Sequence, residues 1–148
     1  MDELQKVDAW LAALLANLEP TARSRMLREV ARDVRRIQQQ NMTAQRAPDG
    51  TAWEPRRMTA RTKQGRVKRK MFTKLKTAKF LKATANASQA EVSFTRQVQR
   101  IARVHHYGLR DRISKEGSEI RYISRRLLGA NDEVLSTVQT ILINRLQR

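Results

Sequence analysis

The sequence predicts an α+β fold: an N-terminal helical hairpin, a small antiparallel sheet of three to four strands, a C-terminal helix and a long basic arm. Three observations predict it. Apolar residues recur at helical spacing at both ends of the chain. Two short alternating stretches flank a polar turn between residues 80 and 95. Between Pro55 and Ala90 there is no acidic residue, yet twelve of the chain's 31 Lys and Arg fall there.

The first helix is expected over residues 2–18, with Leu4, Val7, Leu11, Leu14, Leu15 and Leu18 on one face. Asp2 and Glu3 sit where the helix dipole favours acids. Pro20 ends that helix and opens the next, because a first-turn proline loses no needed N–H bond. The second helix is expected from Pro20 to Gln45, with a stripe of Ala22, Met26, Val30, Val34, Ile37 and Asn41 amid arginines. A tight Asn17–Glu19 corner between the two makes a helical hairpin over residues 1–46. Pro48, Asp49 and Gly50 supply turn chemistry, and Trp53 just beyond them reads as a hydrophobic anchor pinning the loop.

Residues 47–79 form the basic loop or arm, in which Met58, Val67, Met71, Phe72 and Leu75 are sparse and Gly65 interrupts. That composition predicts a mobile segment in the isolated protein, with one helical turn around Arg69–Lys76. The remainder, 80–148, holds the sheet and its helices within one domain. Strands are expected at Phe80–Thr84, Glu91–Thr95 and Glu119–Ile123. A short helix is expected at Gln97–His106, with Val98, Ile101, Ala102 and His105 on one side and Gly108 as its C-cap. The last helix should run from Asn131, its N-cap, to Leu146. Val134, Leu135, Val138, Ile141, Leu142 and Leu146 mark its buried face.

Composition excludes several classes. With 148 residues and no cysteine, the chain has no disulfide framework, thiolate metal site or cysteine nucleophile. No apolar run is long enough to span a membrane. The acidic start lacks the charge of a signal peptide, so a soluble protein used inside the cell is expected. There is no phosphate-binding glycine loop, carboxylate pair or nucleophile elbow, so no catalytic residue and no cofactor is predicted. Adjacent His105 and His106 point about 100° apart on a helix and do not chelate one metal; one is expected to pack inward near Tyr107. The net charge of +17 calls for a polyanionic or acidic partner. The tract 56–82 fits a nucleic acid and an acidic protein surface equally well on composition, though it has only Phe72 and Phe80 for base stacking.

Six segments in order carry a resemblance: Leu18-Glu19-Pro20-Thr21-Ala22-Arg23; Pro48-Asp49-Gly50-Thr51-Ala52-Trp53-Glu54-Pro55-Arg56; Lys68-Arg69-Lys70-Met71-Phe72; Ile101 through Leu109, with its His-Tyr-Gly; Arg121-Tyr122-Ile123; and Arg126-Leu127-Leu128-Gly129. Together, from about Leu11 to Leu146, they resemble the phage virion morphogenesis, or tail completion, family of contractile-tailed phages. The resemblance implies a structural, non-enzymatic protein that finishes the head-proximal end of a tail and prepares it to join the head. It implies a ring subunit, sixfold to match the tail. Its neighbours would be tail tube or tail terminator proteins on one side and neck or head-connector proteins on the other. The location implied is the tail–neck region of the virion, and the host cytoplasm during assembly; no membrane is involved.

Within that frame the candidate partner-binding residues are Arg56, Arg57, Arg61, Lys63, Arg66, Lys68, Arg69, Lys70, Lys74 and Lys76. They are expected to order against acidic neighbours on assembly, the rival being contact with phage DNA in the channel. His106, Tyr107 and Arg110 are candidate subunit contacts, with Trp53 the loop anchor. Outside that frame, the alternative function is a free nucleic-acid-binding protein using tract 56–82.

Overall fold

A computed structural model describes residues 2–16, 18–57, 70–112, 115 and 117–146. Its order is α1 (Asp2–Ala16), α2 (Pro20–Thr43), β1 (Leu81–Ala85), β2 (Ala90–Phe94), α3 (Gln99–Tyr107), β3 (Arg110–Arg112), β4 (Glu119–Arg121) and α4 (Asp132–Leu146). This is an α+β fold. The strands divide into two separate two-stranded antiparallel sheets, β1–β2 and β3–β4, in place of the single sheet of three to four strands expected. Each is a local hairpin, and α3 lies between them in the chain.

Helix α2 is the spine. Pro20 stands in its first turn, and the Arg23 N–H bonds the Glu19 carbonyl at 2.9 Å. Its buried residues are Met26, Leu27, Val30, Ala31, Ile37, Gln38, Asn41 and Met42, a wider set than one four-residue stripe, while Ala22 is exposed. The width has a cause: α4 covers one side of α2 and the β1–β2 hairpin another. The first half of α2 packs Met26 and Val30 on Ile141 and Leu142 of α4. Its end delivers Met42 to a second cluster with Trp53, Leu75, Leu81, Phe94, Ala102 and Leu127.

Helix α1 contributes little to either cluster. Leu11, with Leu18 beyond the helix, reaches the α2–α4 cluster. Leu4, Val7 and Trp10 are 48%, 40% and 54% exposed. Asn17 and the side chains of Leu14 and Leu15 lie outside the described residues.

Hairpin β1–β2 pairs Leu81 with Phe94 and Ala85 with Ala90. Its turn is closed by Asn86, whose Oδ1 accepts the Ser88 and Gln89 N–H groups. Three local expectations need correction. Ile101 of α3 is exposed and Val104 is buried, because α3 is covered on two opposite sides. Leu135 of α4 faces out, since α2 covers only the Val134–Ile141–Leu142 side. Residues 70–79, placed in the mobile arm with one helical turn, are folded turns: Met71 and Leu75 are buried and Phe72 packs on the second cluster. Sparse apolar residues suffice there because each lands in a site made by distant segments.

Candidate functional site

Three loops meet beside α3 and are stitched together by hydrogen bonds. They are residues 44–56, the 105–109 helix end and the 122–131 strap leading into α4. Gly108 adopts φ 67°, ψ 51° and caps α3, with its N–H on the Val104 carbonyl. The freed carbonyls at this end find partners on the strap: the Arg125 N–H bonds the His105 carbonyl at 2.8 Å, and Ser124 Oγ donates to the His106 carbonyl at 2.8 Å. The Tyr122 N–H bonds the Leu109 carbonyl at 3.0 Å.

His106 adds a side-chain stitch. Its Nδ1 accepts the Leu127 N–H at 3.1 Å. Burial, with Arg126 alongside, holds this imidazole below its ordinary value and keeps it neutral, as an acceptor must be. The His105 ring stacks edge-on between Phe72 and Tyr122, at 4.9 and 4.7 Å. Burial lowers its affinity for a proton, and Arg125 and Arg56 add to that.

The first loop is held from three directions. Trp53 is buried, donates its indole N–H to the Arg126 carbonyl at 2.9 Å and meets the Phe72 ring edge-on at 5.3 Å. Arg125, also buried, donates Nε to the Glu54 carbonyl at 2.9 Å and Nη2 to the Pro55 carbonyl at 3.3 Å. Burial and Arg56 pull its pKa down, while Glu54 opposes them. Asn131 caps α4 with Oδ1 on the Val134 N–H and donates Nδ2 to the Pro48 carbonyl.

Two glutamines of the α2 end complete the knot. Gln38 is buried and grips the Gly129 backbone through both amide atoms, at 2.8 and 3.2 Å. Gln45, itself at φ 57°, does the same for Met71, at 2.9 and 2.7 Å. That grip sits beside Phe72, whose own φ is 61°. An aromatic residue in this region is strained and persists only where its surroundings hold it.

A sequence profile of the phage virion morphogenesis family matches residues 2–147. The chain belongs to that family. It is similar to the tail completion protein S of Escherichia phage P2, at 39% identity over 150 residues that cover all of both chains. No solved structure matches it.

In this virion morphogenesis chain, four of the six resemblance segments converge on the knot: 48–56, 68–72 through Met71 and Phe72, 101–109 and 126–129. The Arg121–Ile123 segment enters it through Tyr122. The candidate site residues are scattered around it. Trp53 lies inside, Arg56 is half-buried and Arg57 is exposed. Lys70 and Lys74 are exposed, while Lys76 is half-buried with Nζ on Thr43 Oγ1 at 2.7 Å. Arg61, Lys63, Arg66, Lys68 and Arg69 lie outside the described residues. His106 is half-buried in the knot, Tyr107 is 56% exposed beneath the Arg126 guanidinium, and Arg110 is exposed opposite Arg121 in the β3–β4 register.

Gln38, Gln45, Ser124 and Arg125 carry much of the knot and have no signature in sequence. Their partners are backbone groups, which every residue possesses. No helix among the described residues is long and apolar enough to cross a membrane.

Proposed function

We propose that this chain is a structural virion protein that completes the head-proximal end of a contractile phage tail and prepares it for joining to the head. It acts as a single tail-completion domain, one subunit of a sixfold ring at the neck, without catalysis. The carrying observation is the 39% identity to a tail completion protein along the whole of both chains.

The knot suits such a role, because a rigid centre can present peripheral elements in fixed directions. The ring multiplies contacts that are individually weak, so avidity holds it on the tail. One face meets the tail tube or its terminator, and the other meets the neck or head connector. Tract 56–79 engages acidic surfaces of those neighbours, with Arg56, Arg57, Lys70, Lys74 and Lys76 at its described ends. Tyr107 and Arg110, exposed beside the knot, serve subunit contacts with His106 behind them.

Electron microscopy of particles made with and without the gene tests the proposal. The expected result is tails with unfinished upper ends alongside filled heads that never join. Normal joined particles without the gene would remove the structural reading and turn attention to nucleic-acid binding by tract 56–82. Charge reversal of Arg66, Lys68, Arg69 and Lys70 should abolish attachment to tails. Normal joining with failed DNA retention would instead give the tract to the DNA channel.

A further inference from the structure

Helix α1 is at odds with the rest of the chain. Its sequence holds Asp2, Glu3 and Asp8 against one base, Lys6, in a protein of net charge +17. Leu4, Val7 and Trp10 lie at three-residue steps and leave an apolar stripe about 120° wide in the open. Asp8 borders the stripe beside Leu4, and Glu3 lies within its arc at the N-terminal end. Leu11 lies within the same arc one turn on from Val7; there the face meets the core and tethers the helix, while Leu4 and Val7 before it stay exposed.

The same subunit has a surface that fits such a helix. One hollow of about 250 Å³ lies between α2, β2 and the strap, floored by Val34, Ala90 and Val92. A second of about 410 Å³ lies between β2 and α3, floored by Phe94 and Ala102 and bordered by Arg103 and Tyr107. Val92 and Leu128 line both, so the two hollows adjoin along β2, and the trough is the pair of them. Arg126 stands over Tyr107 at the α3 end, making that rim basic.

We propose that α1 of one subunit docks in the β2–α3 trough of the next, seating Leu4, Val7 and Trp10 on the apolar floor with Asp8 toward Arg103 and Arg126. The partner is a second copy of this chain. Two surfaces with the same strong positive charge repel when like faces like, and α1 is the acidic element the chain itself supplies. Donor and acceptor are different surfaces, so the contact is head-to-tail and can close into a ring. Its recognition mode is a helix in a groove, read by anchors on one helix face. The inference rests on the ring reading above and names the contact that builds it.

The absence of native cysteine makes the test clean. A Val7→Cys/Gln99→Cys chain, supplied to gene-deleted phage, is treated on isolated tails with a short bismaleimide. Covalent ladders longer than dimers are expected, because each subunit carries one donor and one acceptor position. Either single variant should stop at dimers. In solution, Trp10→Ser should raise the concentration for self-association about tenfold or more, as loss of a buried aromatic anchor does. Asp8→Arg and Arg103→Glu should each weaken it and, combined in one chain, restore it. Tails that carry several copies around the axis yet give no ladder would overturn the α1 contact and leave the ring standing. A single copy per tail would overturn both. A Trp10→Ser chain that still forms rings but no longer binds tails would assign α1 to another tail protein, and the proposal would fall.

Discussion

Replacing Gly108 by alanine tests whether the knot is built around that residue. Its φ of 67° lies in the left-handed region, where an L side chain costs roughly 1–2 kcal/mol. A Cβ there would stand 2.9 Å from the Ser124 nitrogen and 3.0 Å from the Tyr122 carbonyl oxygen. Both are backbone atoms of the strap, which can yield only by moving as a unit. Such movement pulls on the bonds from Tyr122, Ser124 and Arg125 to Leu109, His106 and His105, and losing one costs about 1 kcal/mol. The total is about 2–4 kcal/mol, or roughly 4–16 °C in melting temperature for a chain of this size. Gly50 is the internal control. Its φ is 91°, but nothing lies within 4 Å of its absent Cβ, so Gly50→Ala carries the strain without the collision. Thermal unfolding followed by circular dichroism should show Gly108→Ala destabilised by at least about 1 kcal/mol more than Gly50→Ala. Equal shifts in the two variants would refute the claim that the strap presses on Gly108.

Other consequences follow from the same geometry. Both histidines hold protons less well when folded, so the unfolded chain binds more protons below the ordinary value of 6.5. Their contribution is therefore complete above pH 6.5 and is lost as pH falls through the folded values; a His105→Gln/His106→Gln chain should show a flatter stability profile in urea melts between pH 7 and 5. Arg125→Met leaves the Glu54 and Pro55 carbonyls unpaired and should cost about 1–3 kcal/mol, with hydrogen exchange quickening in residues 51–57 ahead of α2; unchanged exchange there would count against the clamp. Gln45→Ala should release Met71 and expose residues 70–76 to limited proteolysis while the α2–α4 contact persists. The Arg145–Glu29 pair, about one-third exposed on both sides, should matter little: Glu29→Gln is expected to cost under about 1 kcal/mol.

Much of the fold is legible in sequence because its causes are local. Pro20 and the periodicity around it place α2, Asn86 marks the β1–β2 turn, and Gly108 and Asn131 announce a helix end and a helix start. The family resemblance is carried by segments such as His-Tyr-Gly and Arg-Leu-Leu-Gly, and these prove to be bonded to each other: the Leu127 N–H rests on His106, while Ser124, just ahead of the second run, bonds the His106 carbonyl. The charge of residues 70–79 points to solvent, whereas Met71, Phe72 and Leu75 answer to a core assembled from residues far away. The side-chain clamps were invisible for a related reason. Gln38 lies 91 residues from Gly129, and Arg125 lies 71 from Glu54.

What the sequence determined alone is therefore the inventory of helices and turns, the concentration of positive charge and the family. The first two follow from neighbours in the chain or from composition, and the family from the resemblance of its ordered segments. Tertiary structure decided which side of each helix is covered, that the strands form two hairpins, and that α1 is left with its apolar stripe in the open. Those outcomes depend on which distant segments share a space in the folded chain. A helix such as α1 carries the same pattern whether its stripe meets its own core or that of a neighbour, and only the packed chain shows that its own core is already occupied by α2 and α4.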